Sequence, residues 1–250
     1  MNDQETIHAA LDNLTENGTL TLYDGTYINS SIVMTCQKTL IGSGNTVLSG
    51  GNGVQMSAGG TVANIHLKGT TYGINCADYC TVRNITANDI RDTVNGFAAI
   101  VHVASVHNVS IDDVTGIDCD RGIEVENGAS YIDVSNINLE NIYSLVQDYS
   151  FSLDAHTHIG RGVVHHITYT DCTLTNCVGA TVAGVPNDNR VTDVTMTNIT
   201  INGLYPSNYI YALLAMEADR VNFINVTMVD VPEDKRACEQ NCTDVVFDIN

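Results

Sequence analysis

Positive charge is scarce in this sequence. Ten lysines and arginines stand against 29 aspartates and glutamates, giving a formal net charge of −19, a field that repels phosphate backbones and anionic membrane surfaces alike. Nucleic-acid binding is therefore not expected. Long apolar runs are missing too: none approaches the roughly 18 residues that a membrane-spanning helix needs, so membrane insertion is not expected either. The segment after Met1, Asn2-Asp3-Gln4-Glu5, lacks the basic and apolar regions of an export signal, and none is expected there. Proline occurs three times, at Pro186, Pro206 and Pro232. Long stretches between them can donate every backbone N–H to a ladder.

What is present is enough for a core. The chain has 250 residues, 44% hydrophobic and only 16% charged, so one large folded domain is the default expectation. Its acidity is mostly aspartate, and its lysines are confined to Lys38, Lys68 and Lys235. That texture resembles proteins of high-salt environments, where a Debye length of about 3 Å at 1 M salt suppresses repulsion between carboxylates. An acidic extracellular protein shares the composition.

Eight cysteines include two close pairs, Cys76 with Cys80 and Cys238 with Cys242. Such pairs at turns can close small disulfides in an oxidising compartment. Zinc is disfavoured, because the spacing is not Cys-x-x-Cys and no histidine pair follows at finger spacing. No cofactor or metal is expected.

Internal repetition decides the architecture. A strand, then Asn or Asp, then an apolar residue, then another strand recurs at Asn64, Asn84, Asp113, Asn136, Asp171, Asn198 and Asn225. The following residues are Ile65, Ile85, Val114, Ile137, Cys172, Ile199 and Val226, each expected to face a core. Separations of 20, 29, 23, 35, 27 and 27 residues are too irregular for helical hairpin repeats but suit coils that carry insertions. Period-two alternation with β-branched residues, as in Ile132-Asp133-Val134-Ser135-Asn136-Ile137-Asn138-Leu139, marks the strands. A polar residue recurring at a bend can bond to its copy about 4.8 Å away in the next coil. The product is an all-β right-handed parallel β-helix, a solenoid whose coils share one core. Asn-x-Ser/Thr sequons are frequent, but Asn84, Asn198 and Asn225 are ladder positions expected to point inward and stay unglycosylated.

The opening Thr6-Ile7-His8-Ala9-Ala10-Leu11-Asp12-Asn13-Leu14, then Gly18-Thr19-Leu20-Thr21-Leu22 and Gly25-Thr26-Tyr27, resembles the entrance of right-handed β-helix proteins of the pectate lyase-like superfamily. There an amphipathic helix caps the first coil. Ile7, Ala10, Leu11 and Leu14 do share one helical face, with Asn17-Gly18 ending it. This predicts a capping helix within residues 1–17 and a β-helix over 18–250. The superfamily includes polysaccharide lyases, glycoside hydrolases, uronan epimerases and viral tailspikes, so the resemblance implies fold more than activity.

Chemistry is expected where insertions lengthen the coils, at 85–112 and 137–170. Alternation turns Ser152, Asp154 and His156 outward if Phe151, Leu153 and Ala155 face the core. One coil earlier Glu124 and Glu126 point out, and about 22 residues before Glu124 lies His102, flanked by Val101 and Val103. Stacking then gathers His102, Glu124, Glu126, Asp154 and His156 on one lateral face, as catalytic candidates for acid/base cleavage of a sugar chain. Tyr149, His158 and Arg161 are the substrate-binding candidates. In a lyase or epimerase, His156 or Tyr149 would abstract the C5 proton of a uronate and Arg161 would neutralise its carboxylate.

Asp154-Ala155-His156 resembles the Asp-Pro-His element of β-helix mannuronan epimerases, with Ala in place of Pro and Phe151 where that family has Tyr. An Asp-x-His run also resembles elements of viral tail appendages. Competing readings of the cluster are a solvated acidic face and a metal set of Asp154, His156 and His158. Adjacent His165 and His166 are expected to point in opposite directions, and Asp120-Arg121 to form an exposed turn ion pair. Two functions follow: an extracellular or virion-surface, tailspike-like β-helix that binds and cleaves surface polysaccharide, or a non-catalytic glycan-binding or structural envelope module. Resemblance to tailspikes adds a homotrimer or other virion proteins as partners.

Overall fold

A computed structural model describes residues 3–29, 31–92, 98–142, 153–156, 161–186, 190–205 and 211–250. The chain is a right-handed parallel β-helix of about eight turns. One helix, α1 (Asp3–Asn13), covers its first coil with Ile7 and Leu11 buried.

The strands form two parallel sheets, one of twelve strands and one of nine, each running through successive coils. Inward residues stack in columns along the core. One reads Val62, Val82, Ile111, Val134, Tyr169, Met196, Phe223 and Phe247. The apolar residues that follow the repeated Asn or Asp form the next column, from Ile65 to Val226, and Ile65, Val114 and Ile199 are buried as the repeat predicts. Facing them from the nine-stranded sheet are Val54, Ile74, Val101, Ile123, Leu153, Ala180 and Leu213. Each coil leaves an incomplete apolar surface that only the coils above and below can cover.

The ladder exists, but it lies outside. Each repeated Asn or Asp is left-handed, with φ from 50° to 57°, and so bends a strand such as Val191–Leu204 without ending it. Asn84 Nδ2 donates to Asn64 Oδ1 at 2.9 Å, Asn198 to Asp171 at 2.8 Å, and Asn225 to Asn198 at 2.7 Å. Asn84, Asn198 and Asn225 are exposed, contrary to the inward placement. A left-handed residue breaks the period of two, so its side chain turns outward at the corner and only the next residue enters the core. A second ladder joins Asp118, Asn141 and Asn176 at 3.2 and 2.7 Å, again at left-handed positions.

The cysteines are all thiols, so neither close pair forms a disulfide. Cys76 and Cys80 are buried, and Cys80 Sγ instead donates to Ser57 O at 3.2 Å. Cys172 is in the core as expected, its thiol pushed up to about 12 by burial.

Candidate functional site

The nine-stranded sheet carries the predicted cluster. Strand Ala99–Ala104 pairs with Arg121–Glu126, which pairs with Leu153–His156. His102 is opposite Glu124, and Glu124 is opposite Asp154, so these three occupy one column in consecutive coils. Glu126 and His156 are opposite each other two residues further along their strands. Adjacent strands are about 4.8 Å apart and each residue advances about 3.3 Å. The sheet thus brings all five positions together on one patch of backbone.

His102 Nε2 lies 3.0 Å from Glu126 Oε1, and its Nδ1 lies 3.1 Å from Asn75 Oδ1. Both ring nitrogens are therefore held, one coil above and one below, which fixes the imidazole against the Glu126 carboxylate. His102 is about one-third exposed and Glu126 13% exposed, so this pair meets solvent at its edge. Outward does not mean exposed for Glu124, which is only 4% accessible. Its carboxylate accepts from Arg121 Nη1 in a buried ion pair. Two charges removed from water need such a partner.

The expected exposed pair of Asp120 with Arg121 is corrected by the same contact. Both residues are buried, and the guanidinium is directed at Glu124 three residues on. Asp120 instead accepts the Asp92 backbone N–H at 2.9 Å, and burial pushes its carboxyl above the usual carboxylate range. Tyr72 Oη donates to Asp92 Oδ2 at 3.3 Å; burial and then the Asp92 charge raise the phenol. Asp92, Asp120 and Tyr72 thus form a second polar group beside the first. Sequence reasoning missed Asp92 and Tyr72, although Asp92 follows strand Thr81–Asn88 much as Asp120 follows strand His107–Ile117.

Arg161 is exposed after strand Leu153–His156. Its carbonyl lies 3.1 Å from where a Cβ on left-handed Gly128 would sit, so a side chain there would be strained by its backbone and crowd the next turn. Tyr149 and His158 lie outside the described residues. His158 belongs to the metal set, and among the described residues no group of three or more His, Cys, Asp or Glu side chains is arranged to hold a metal ion.

His165 and His166 do not point apart. Their Nδ1 atoms are 2.7 Å from each other, because His166 is left-handed at φ 57° and alternation fails there. Both rings reach Tyr131, with His166 stacked at 4.8 Å and His165 edge-on at 5.6 Å. Burial and neighbouring His166 lower the His165 pKa.

No protein-family model and no curated protein matches the chain. Solved structures do. The catalytic domain of a GH87 α-1,3-glucanase in complex with nigerose matches at a TM-score of 0.50 and 13% identity, over 99% of this chain and 64% of that one. A variant of that domain in complex with tetrasaccharides matches at 0.53 and 10%, over 98% and 67%. The ORF18 protein of Geobacillus virus E2 matches at 0.50 and 10%, over 91% and 50%. This chain therefore spans about 64% of the glucanase domain's length, and the shared feature is the parallel β-helix fold.

Proposed function

We propose that this β-helix binds a polysaccharide across the outward face of the strands containing His102, Glu124, Glu126 and Asp154, and cleaves its glycosidic bonds by hydrolysis. The observation that supports this most is the His102–Glu126 hydrogen bond of 3.0 Å at a partly exposed edge, in register with the coil that carries Asp154 and His156.

Hydrolysis needs one group to protonate the leaving oxygen and another to take a proton from the attacking water, which adds at the anomeric carbon as the C–O bond breaks. Glu126 and Asp154 are the carboxyl groups we assign to this pair of roles. Glu124, paired with Arg121, positions the face. His102 orients Glu126, and His156, opposite Glu126, completes the candidate set. Tyr149, His158 and Arg161 remain assigned to holding the sugar. The glucanase likeness is in keeping with this reading, and the viral likeness with an extracellular or virion-surface setting; the tailspike-like trimer is proposed from the sequence resemblance alone.

Incubation with surface polysaccharides tests the reaction. Hydrolysis releases reducing ends without absorbance near 235 nm, whereas a lyase would give both. Glu126→Gln is expected to reduce the release at least a hundredfold with the fold intact. Release unaffected by Glu126→Gln would overturn the site, and binding without any release would leave the alternative, a non-catalytic glycan-binding module.

A further inference from the structure

A second surface runs along the corner after the nine-stranded sheet. Registers place Tyr79, Asn108, Tyr131, His166, Asp193 and Arg220 in one column, one per coil. All six are left-handed, with φ between 53° and 60°.

At the two ladder columns the left-handed positions hold only Asn, Asp or Gly among the non-terminal coils, residues that accept this backbone with little strain. This column departs from that rule. Arg220 is explained, since it donates to Asp193 through Nε at 2.6 Å and Nη2 at 2.8 Å. Tyr131 stacks on His166 on one side yet remains 53% exposed, and Tyr79 is 65% exposed. Bulky aromatic residues in a strained conformation, repeatedly at one corner and facing water, point to a use outside the fold.

Charge indicates which ligand. On a chain of net charge −19, Tyr79, Asn108 and Tyr131 are themselves uncharged and Asp193 pairs with Arg220, while the carboxylates that border the column, Asp78 and Asp244, repel an anionic polymer. Tyr79 and Tyr131 are two coils apart, about 9.6 Å, with exposed Asn108 between them offering an amide donor and acceptor. Beside them His107 Nδ1 and Ser130 Oγ, 2.6 Å apart, add hydrogen-bonding groups. Past Tyr79 the corner opens into a depression of about 530 Å³ bordered by Thr35, Gln37, Ser57 and the carboxylate of Glu16, which disfavours an anionic polymer. Apolar ring surface interleaved with neutral hydrogen-bonding groups matches a pyranose, which has C–H faces and a rim of hydroxyls.

We propose that this corner is a second glycan-binding surface, selective for neutral polysaccharide lying along the helix axis, and separate from the face on which cleavage is proposed. It binds whether or not the chain cleaves. The test is electrophoresis through native gels cast with a soluble neutral glucan, a neutral mannan or polygalacturonate, using Tyr79→Asn and Tyr131→Asn singly and together. Wild type should be retarded by at least one neutral polymer, and the double variant should bind it at least tenfold more weakly. Its melting temperature should be equal or higher, because Asn relieves the left-handed strain.

The double variant should release reducing ends from a short soluble oligosaccharide as wild type does, which separates this surface from the proposed hydrolytic face. Undiminished retardation of the double variant would overturn the proposal. So would a clear fall in its melting temperature, which would make the rings structural, or retardation of wild type by polygalacturonate alone or by no polymer.

Discussion

Left-handed residues set much of what this chain does at the scale of single side chains. They turn each coil, and they decide which side chains meet. Asp193 and Arg220 illustrate the energetic side. The hydrogen bonds from Arg220 hold the Asp193 carboxyl down to about 2. A carboxylate whose pKa is lower folded than unfolded contributes stability that is complete above the unfolded value, near 3.8, and is lost as pH falls toward about 2. Acid unfolding followed by circular dichroism should therefore have a component between pH 4 and 2 that Asp193→Asn removes, with little change in stability between the two proteins at the acid end. A variant with the same acid profile as wild type would contradict this role. The same residues show what was legible in sequence. The spacing of Asn and Asp revealed the ladder, since one polar residue per coil needs no coordinates to be counted. Their outward direction, and the meeting of His165 with His166, were not legible because alternation assumes extended backbone on both sides, and a positive φ cancels that assumption.

At the scale of elements, alternation with β-branched residues identified the strands, and the resemblance located the capping helix. What sequence did not reveal is how the helix is fastened. Lys38 is 3% exposed, and its Nζ donates to the Leu11 carbonyl at 2.6 Å. A cation there satisfies a carbonyl near the helix end and complements the negative end of the helix dipole. Such a bond is long-range, so no local pattern announces it. Lys38→Met keeps the apolar stem and removes the donor, and should cost about 1.5–3 kcal/mol. At roughly 2–4 °C per kcal/mol for a chain of this size, a thermal melt should register the loss as a clear fall in melting temperature. An unchanged melt would contradict this role for Lys38 and leave the helix held by Ile7, Leu11 and the bonds that Asp3 and His8 accept from the Ile28 and Val33 backbone N–H groups. Arg121 shows the same limit in the nine-stranded sheet. Adjacency suggested Asp120 as its partner, whereas the burial of Glu124 demanded the cation more strongly.

For the whole molecule, the solenoid converts distance along the chain into height, and every coil repeats the same few directions. His102, Glu124 and Asp154 come from segments far apart in sequence and still form one column. That much followed from counting residues per coil. The Asp92–Asp120–Tyr72 group did not, because it depends on how the corners fold over the sheet. The fold separates two lateral surfaces, one with carboxylates and imidazoles and one with exposed tyrosines, and it keeps both rigid through shared core columns. The central claim is that the carboxylate face receives the sugar chain. A crystal structure of inactive Glu126→Gln with a neutral oligosaccharide tests it most directly. A glycosidic oxygen should lie within hydrogen-bond distance of residue 126, with His102 and the Leu153–His156 strand alongside; sugar bound only at the tyrosine corner, with this face bare, would contradict the account.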